Sequence, residues 1–389
     1  MRFNLFHLMP YPYLPPDYEA RFDSGSLTLP NGLFDPQRGA NLYNRYLDEL
    51  EYAEKLGFDS VAVNEHHQSA YGLMPSPNIV AAALARRTAR IDLCILGNAI
   101  ALRDHPLRVA EEVAMLDNIT YGRIISGFVR GIGFESYAQS ISPVRSMPRF
   151  REAHDLIIKA WTSREPFQWI SDNYEFRYVN VWPRPVQQPH PPVWVPGTGS
   201  VETMKWVAEH RYNYLSVYAP TRVIKTWFDG FRSAAASCGY TPTPEQIGFS
   251  VPIYVAETDA RAHEEGREHV EWLYHKGMRI RQEYYFPAGY LSTASLRGML
   301  KSGAKPFSEL TYEEILKLGY AVVGSPTTVR EKLKEMEAFL GFGNLCAVLQ
   351  IGDMPHHRTI KNMELFATEV MPAFERAGDA FTHRPRLAG

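Results

Sequence analysis

Strand-like and helix-like runs alternate eight times along this chain, and that rhythm constrains its fold more than any other feature. Apolar, β-rich runs stand at Arg2–Leu8, Ser60–Asn64, Ile91–Leu96, Arg123–Val129, Val193–Val195, Asn213–Val217, Ile247–Val255 and Leu345–Gln350. Segments with apolar residues at helical spacing follow them at Leu42–Leu56, Asn78–Arg87, Pro106–Ile119, Arg149–Trp161, Val201–His210, Arg222–Cys238, Asp259–Gly277 and Ile360–Arg376. A strand that returns through a helix pairs with its successor in parallel, and eight such units close on themselves. The predicted fold is a (β/α)₈ TIM barrel with insertions, forming one domain over residues 1–389. The length of 389 residues fits one such barrel, because this architecture absorbs long insertions.

Two segments break the cycle. Residues 10–41 form a Pro/Gly-rich loop after the first strand, and residues 282–320 precede a further helical run at Thr327–Leu340. Long loops of this kind are binding loops or lids, and 282–320 is expected to be a lid. The run Phe167–Val181 alternates apolar and polar residues, which predicts a β-hairpin excursion.

Composition excludes several function classes. A formal net charge of −2 leaves no electrostatic footprint for nucleic acid or an anionic membrane surface. No apolar stretch reaches the roughly 18 residues of a membrane span. The start, Met1-Arg2-Phe3-Asn4-Leu5-Phe6-His7, lacks the apolar core and cleavage site of a signal peptide. Cys94, Cys238 and Cys346 are scattered and cannot all pair, which suits a reducing, cytoplasmic location.

In a barrel of this type the carboxyl ends of the strands form the active face. Asn64-Glu65-His66-His67 follows the second strand and offers imidazole and carboxylate for proton transfer. A buried hydrogen-bonded network accounts for the same residues. Adjacent side chains on extended backbone point opposite ways, so His66 and His67 do not share an ion, and no metal is expected. Pro196-Gly197-Thr198-Gly199-Ser200-Val201-Glu202-Thr203 leads into a helix, where backbone N–H groups and the hydroxyls of Ser200 and Thr203 favour an anion. An ordinary turn with Ser200 as N-cap explains it equally well. Arg130, after the fourth strand, is suited to a phosphate. Gly97-Asn98-Ala99, ending the third strand, lets a flat ring approach the backbone.

Seven pieces in order make the chain resemble the bacterial luciferase-like flavin-dependent monooxygenases. They are Gly57-Phe58-Asp59 with Asn64-Glu65-His66-His67; His105-Pro106-Leu107-Arg108 through Glu112, with Leu116-Asp117; Gly122-Arg123; Gly127-Phe128-Val129-Arg130-Gly131; Pro192-Val193-Trp194-Val195 with Ser200, Thr203 and Trp206; Val323-Gly324-Ser325-Pro326; and Leu365-Phe366 with Glu369-Val370-Met371-Pro372. The resemblance implies a cytoplasmic homodimer or higher homo-oligomer. Such an enzyme takes reduced FMN (FMNH2) from a separate NAD(P)H:flavin reductase, forms a C4a-peroxyflavin with O2, and oxygenates a small apolar organic substrate. It places His66 at the catalytic histidine and Glu65 beside it. Asn98 and Ala99 fall under the flavin, with Ala99 at a non-proline cis peptide. Arg130, Ser200 and Thr203 fall on phosphate contacts, with Gly197 and Gly199 in the phosphate loop. Gly199 replaces a glutamate there. Val129 stands where luciferase has a reactive cysteine, which removes any thiol role. Arg149 is a second candidate for an arginine contact. F420-dependent hydride transfer on a related barrel, and a non-catalytic flavin-binding protein, are the alternatives. Aromatic residues in both insertions, Tyr11, Tyr13, Tyr18, Phe22 and Phe34 with Tyr284, Tyr285, Phe286 and Tyr290, suit an apolar substrate.

Overall fold

Alternate residues of the predicted strands are buried in two separate layers, which is the signature of a sheet covered on both faces. In the computed structural model, which describes residues 1–293, 295–297 and 305–375, the strands are β1 (Arg2–Phe6), β2 (Ser60–Val63), β3 (Asp92–Ala99), β4 (Ile124–Val129), β5 (Phe167–Ile170), β6 (Glu175–Val179), β7 (Val193–Pro196), β8 (Asn213–Ser216), β9 (Ile247–Val255), β10 (Val322–Gly324) and β11 (Asn344–Val348). All of the barrel pairs are parallel, in the order β1, β2, β3, β4, β7, β8, β9, β11, and β11 pairs back onto β1 to close the ring. Phe6, Ala62, Cys94, Leu96, Trp194, Leu215 and Val348 belong to the inner cluster. Phe3, Leu5, Val61, Val63, Leu93 and Ile95 pack outward with Leu50, Leu84 and Val113 of the helices.

The helices start where the sequence supplies caps. Asp35 accepts from the N–H groups of Gln37 and Arg38 before Pro36–Lys55, and Thr258 accepts from Arg261 N before Asp259–Trp272. Ser325 does the same for Pro326–Leu340, which ends at Gly341 in the left-handed region. The hairpin β5–β6 stands at the place predicted for it.

Three details differ from expectation. β10 was not foreseen as a strand; it pairs with the far half of β9, Val322 opposite Ile253, outside the closed ring. The helical run from Asp259 ends in a turn of π-helix over Leu273–Gly277, and the last helix changes likewise at Phe366–Val370. Residue 376 of the expected last helix, and residues 294 and 298–304 of the expected lid, lie outside the described residues.

β3 carries a register shift against β4 between Ile95 and Asn98, so Asn98 stands opposite Phe128 and Ala99 opposite Val129. The Phe128 ring stacks outward on Trp161 at 6.1 Å. Partners across a parallel pair share a face, so the bulge sends Asn98 toward the helix layer and turns Ala99 and Val129 to the interior.

Candidate active site

The segment leaving β2 stays extended, and its four polar side chains sort by parity. Asn64 and His66 meet on one side, with Asn64 Nδ2 2.9 Å from His66 Nε2. Glu65 and His67 meet on the other, at 2.7 Å between Glu65 Oε1 and His67 Nε2. The second Glu65 oxygen accepts from Ala99 N at 3.0 Å and from Arg103 Nη2 at 2.7 Å. Glu65 therefore anchors His67 and the end of β3, and it is not the partner of His66.

His66 has a different carboxylate. Its Nδ1 lies 3.0 Å from Oε1 of Glu135, on the short helix Gly133–Ala138 after β4. The other Glu135 oxygen accepts from Ile132 N at 2.7 Å and so caps that helix. Both His66 and Glu135 are buried. A carboxylate only accepts, so His66 Nδ1 carries the proton that faces Glu135, and Nε2 is placed to accept from the Asn64 amide. Asn64 Oδ1 is buried without a partner. A Cβ at Gly133 would lie 2.2 Å from Pro287 Cδ and 2.4 Å from Tyr285 O, so this helix touches the 284–287 segment directly.

Phenols line the barrel mouth beside the histidine. Tyr71 packs edge-on against His66 with ring centroids 4.8 Å apart, and its hydroxyl lies 3.1 Å from that of Tyr218. Burial pushes the Tyr71 phenol well above its ordinary range and lifts those of Tyr285 and Tyr320 to about 12. These groups stay protonated and serve as donors.

A cavity of about 520 Å³ opens between the β1 and β2 loops and reaches His66. Tyr11, Leu27, Leu29, Leu33, Phe34, Tyr43 and Leu73 are in its wall, and no Asp, Glu, Lys or Arg is. Its hydroxyls are already committed. Tyr11 Oη donates to Leu33 O and accepts from Asp35 N, Tyr43 Oη donates to Leu73 O at 2.6 Å, and Ser69 Oγ is 2.6 Å from Ser26 Oγ. The other loop aromatics do not line it: Tyr18 is wholly buried, and Tyr13 is exposed beneath the Arg38 guanidinium.

The phosphate-type residues surround one segment. Arg130 Nη1 donates to Tyr290 O at 3.0 Å, and its guanidinium lies 3.7 Å from the centre of the Tyr290 ring. Ser200 caps Val201–Glu209 by accepting from Thr203 N, and its Oγ donates to Glu202 at 3.0 Å. Hydrogen bonds from the Glu202 backbone N–H and from the Ser200 and Ser292 hydroxyls hold the Glu202 carboxyl below its usual range. Tyr290–Ser292 thus runs between Arg130 and the Ser200 turn. Gly199 has φ +87°, and a Cβ there would lie 2.2 Å from Trp227 Nε1. At Gly197 a Cβ would meet the Tyr214 ring at 2.6 Å. A guanidinium, two hydroxyls and helix N-terminal amides are the donor types a phosphate monoester takes, and Arg151 lies close enough to lower the Glu202 carboxyl. The orphaned Asn64 oxygen and the phenols suit a hydrogen-bonding ring. The residues therefore fit a flavin mononucleotide.

Three sequence expectations are corrected here. The Asn98 side chain faces the helix layer, so it does not lie under a ring in the mouth; both its polar atoms are buried without partners. The peptide bonds at Ala99 are trans, since the cis bonds among the described residues are Trp182–Pro183 and Gln188–Pro189. Arg149 is spent on the loop after β3, donating to Ala101 O, Arg103 O and Asp104. The sequence reading missed Glu135, Tyr71 and Tyr218. For Glu135 the only local sign was its place three residues after the helix cap, which predicts capping and says nothing of His66.

Comparison with known proteins places this chain in a family. The luciferase-like monooxygenase model matches residues 24–341. The oxygenase component of the flavin-dependent trigonelline monooxygenase of Acinetobacter baylyi is 25% identical over 348 residues, covering 88% of this chain and 93% of its own. The FMN complex of the oxygenating constituent of 3,6-diketocamphane monooxygenase from Pseudomonas putida superposes with a TM-score of 0.73, at 20% identity, over 97% of this chain and 100% of that one. An F420-dependent secondary alcohol dehydrogenase shares the fold with a TM-score of 0.68, at 16% identity, over 96% and 99%. The class is that of a flavin-dependent monooxygenase. The chain belongs to the luciferase-like monooxygenase family.

Proposed function

We propose that this chain is the oxygenase component of a two-component system, which receives reduced FMN from a separate NAD(P)H:flavin reductase and inserts one atom of O2 into a small, neutral, apolar organic substrate. The observation that carries this reading is the uncharged cavity reaching His66. Its hydroxyls are occupied and its wall holds no Asp, Glu, Lys or Arg, so it rewards apolar surface and offers a charged group no ion-pair partner among these residue types. The similarity to a named oxygenase component supports the two-component arrangement.

Arg130, Ser200 and Thr203 would hold the FMN phosphate, with the Gly197–Gly199 backbone beneath it. Ala99 and Val129 would flank the ring, and Asn64 Oδ1 would accept a hydrogen bond from it. Reduced FMN supplies the electrons that activate O2. His66 presents an imidazole whose Nε2 takes up or returns a proton as oxygen transfer proceeds, and Tyr71 and Tyr218 donate hydrogen bonds in a mouth from which the apolar wall excludes water. Glu65 keeps the end of β3 and His67 in place.

The test is turnover with photoreduced FMN under ¹⁸O2, against a panel of neutral terpene-sized ketones and alkenes and their charged analogues. One ¹⁸O atom in the product of a neutral substrate is expected. Oxygen-independent turnover of a secondary alcohol with oxidised F420, or of its ketone with reduced F420, would replace this reading with hydride transfer.

A further inference from the structure

Of the two carboxylate–imidazole pairs made by the segment after β2, only the one with His66 reaches the cavity wall. We propose that Glu135 is the positioning residue of the site: it fixes the proton of His66 on Nδ1, so that Nε2 remains the basic nitrogen on the side of Asn64. This rests on the oxygenase reading for its catalytic meaning, but the tautomer itself is a property of the protein without flavin.

The argument is one of donor and acceptor inventory. Glu135 has two oxygens and two tasks, the Ile132 N–H at 2.7 Å and His66 Nδ1 at 3.0 Å. Being acceptor-only, it forces Nδ1 to be the donor. Nε2 then accepts from Asn64 Nδ2 at 2.9 Å, which leaves Asn64 Oδ1 without a partner, as found. A glutamine at 135 has one oxygen, which the helix cap requires. Its NH2 group would then face His66 Nδ1 as a donor. The imidazole proton would have to move to Nε2, and the Asn64 amide would turn over to accept it. The basic nitrogen would be lost with hardly any change of shape. Glu135 is 1% exposed, so the hydrogen bonds it makes weigh heavily on the choice of tautomer.

The experiment compares wild type, Glu135→Gln and Glu135→Asp, with thermal melting to verify folding. Long-range ¹H–¹⁵N NMR of the flavin-free protein reads the His66 tautomer, and coupled product against hydrogen peroxide is measured with reduced FMN. Wild type and Glu135→Asp should show Nδ1–H, and Glu135→Gln should show Nε2–H. Reduced-FMN affinity should stay within about twofold throughout. Coupled product should fall by roughly 10²-fold or more in Glu135→Gln, the scale of a lost general acid–base group, and recover most of the way in Glu135→Asp. An Nε2–H tautomer in wild type, an unchanged tautomer in Glu135→Gln, or a switched tautomer with undiminished coupling would each overturn the proposal. Should wild type yield no oxygenated product at all, the oxygenase reading falls, and the positioning claim still stands or falls on the NMR spectra.

Discussion

Glu65 Oε1 lies 2.7 Å from His67 Nε2, while the neighbouring His66 reaches across to Glu135. Two adjacent histidines thus answer to carboxylates 70 positions apart in the chain (65 and 135), and their substitutions should separate. His66→Ala should bind reduced FMN nearly as well as wild type yet lose about 10²–10⁴ in coupled product formation, with peroxide released in its place. His67→Ala should lower the melting temperature and leave coupling largely intact. Product and peroxide yields for both variants check this, and the opposite pattern would assign the chemistry to His67.

Glu65 is a structural anchor by its contacts. Its fully buried carboxylate holds Ala99 N, Arg103 and His67 together. Glu65→Ala leaves those groups without their acceptor, and a broken buried pair costs about 3–5 kcal/mol. Urea unfolding should show that loss, whereas Glu65→Gln should lose less. A shift under about 1 kcal/mol for the alanine variant would contradict the anchoring role.

Arg130→Ala should weaken reduced-FMN binding by about 1.5–3 kcal/mol, the scale of a charged hydrogen bond. It should also release Tyr290, whose carbonyl and ring now rest on the guanidinium. Anaerobic titration gives the first effect, and proteolysis near residue 290 gives the second. Unchanged affinity would take Arg130 out of the phosphate site.

At the amino-terminal base of the barrel, His154 bonds to Tyr212 at 2.9 Å and packs against Trp206 and His210. Burial lowers the pKa of His154, and likewise that of His190, below the ordinary value of 6.5. Both are neutral in the fold, while the unfolded chain protonates them as pH falls through 6.5. The unfolded state then binds more protons, so stability is fully present above pH 6.5 and declines below it, with a limiting slope of about 1.4 kcal/mol per pH unit for each proton. His154→Gln should flatten that decline. An unaltered stability–pH curve between 6.5 and 5 would show that His154 takes no part.

The barrel was legible because its strands and helices carry distinct periods over long windows, and even the β5–β6 excursion announced itself by alternation. The turn before Val201 and the two histidines could be picked out as candidates because they sit at strand ends. Other features depend on distance or on parity. Glu135 meets His66 only through the closure of β2 and β4 around β3, which no local pattern encodes. Asn98 was placed inside because the bulge that flips it leaves no mark on composition. β10 is three residues long, too short for a period to register.

The Gly133–Ala138 helix holds Glu135 against His66 on one side and has Tyr285 and Pro287 pressed on its first residue. The methyl group of Gly133→Ala cannot coexist with Pro287 in the present packing, so this one small substitution should displace residues 284–287 from the helix that carries Glu135.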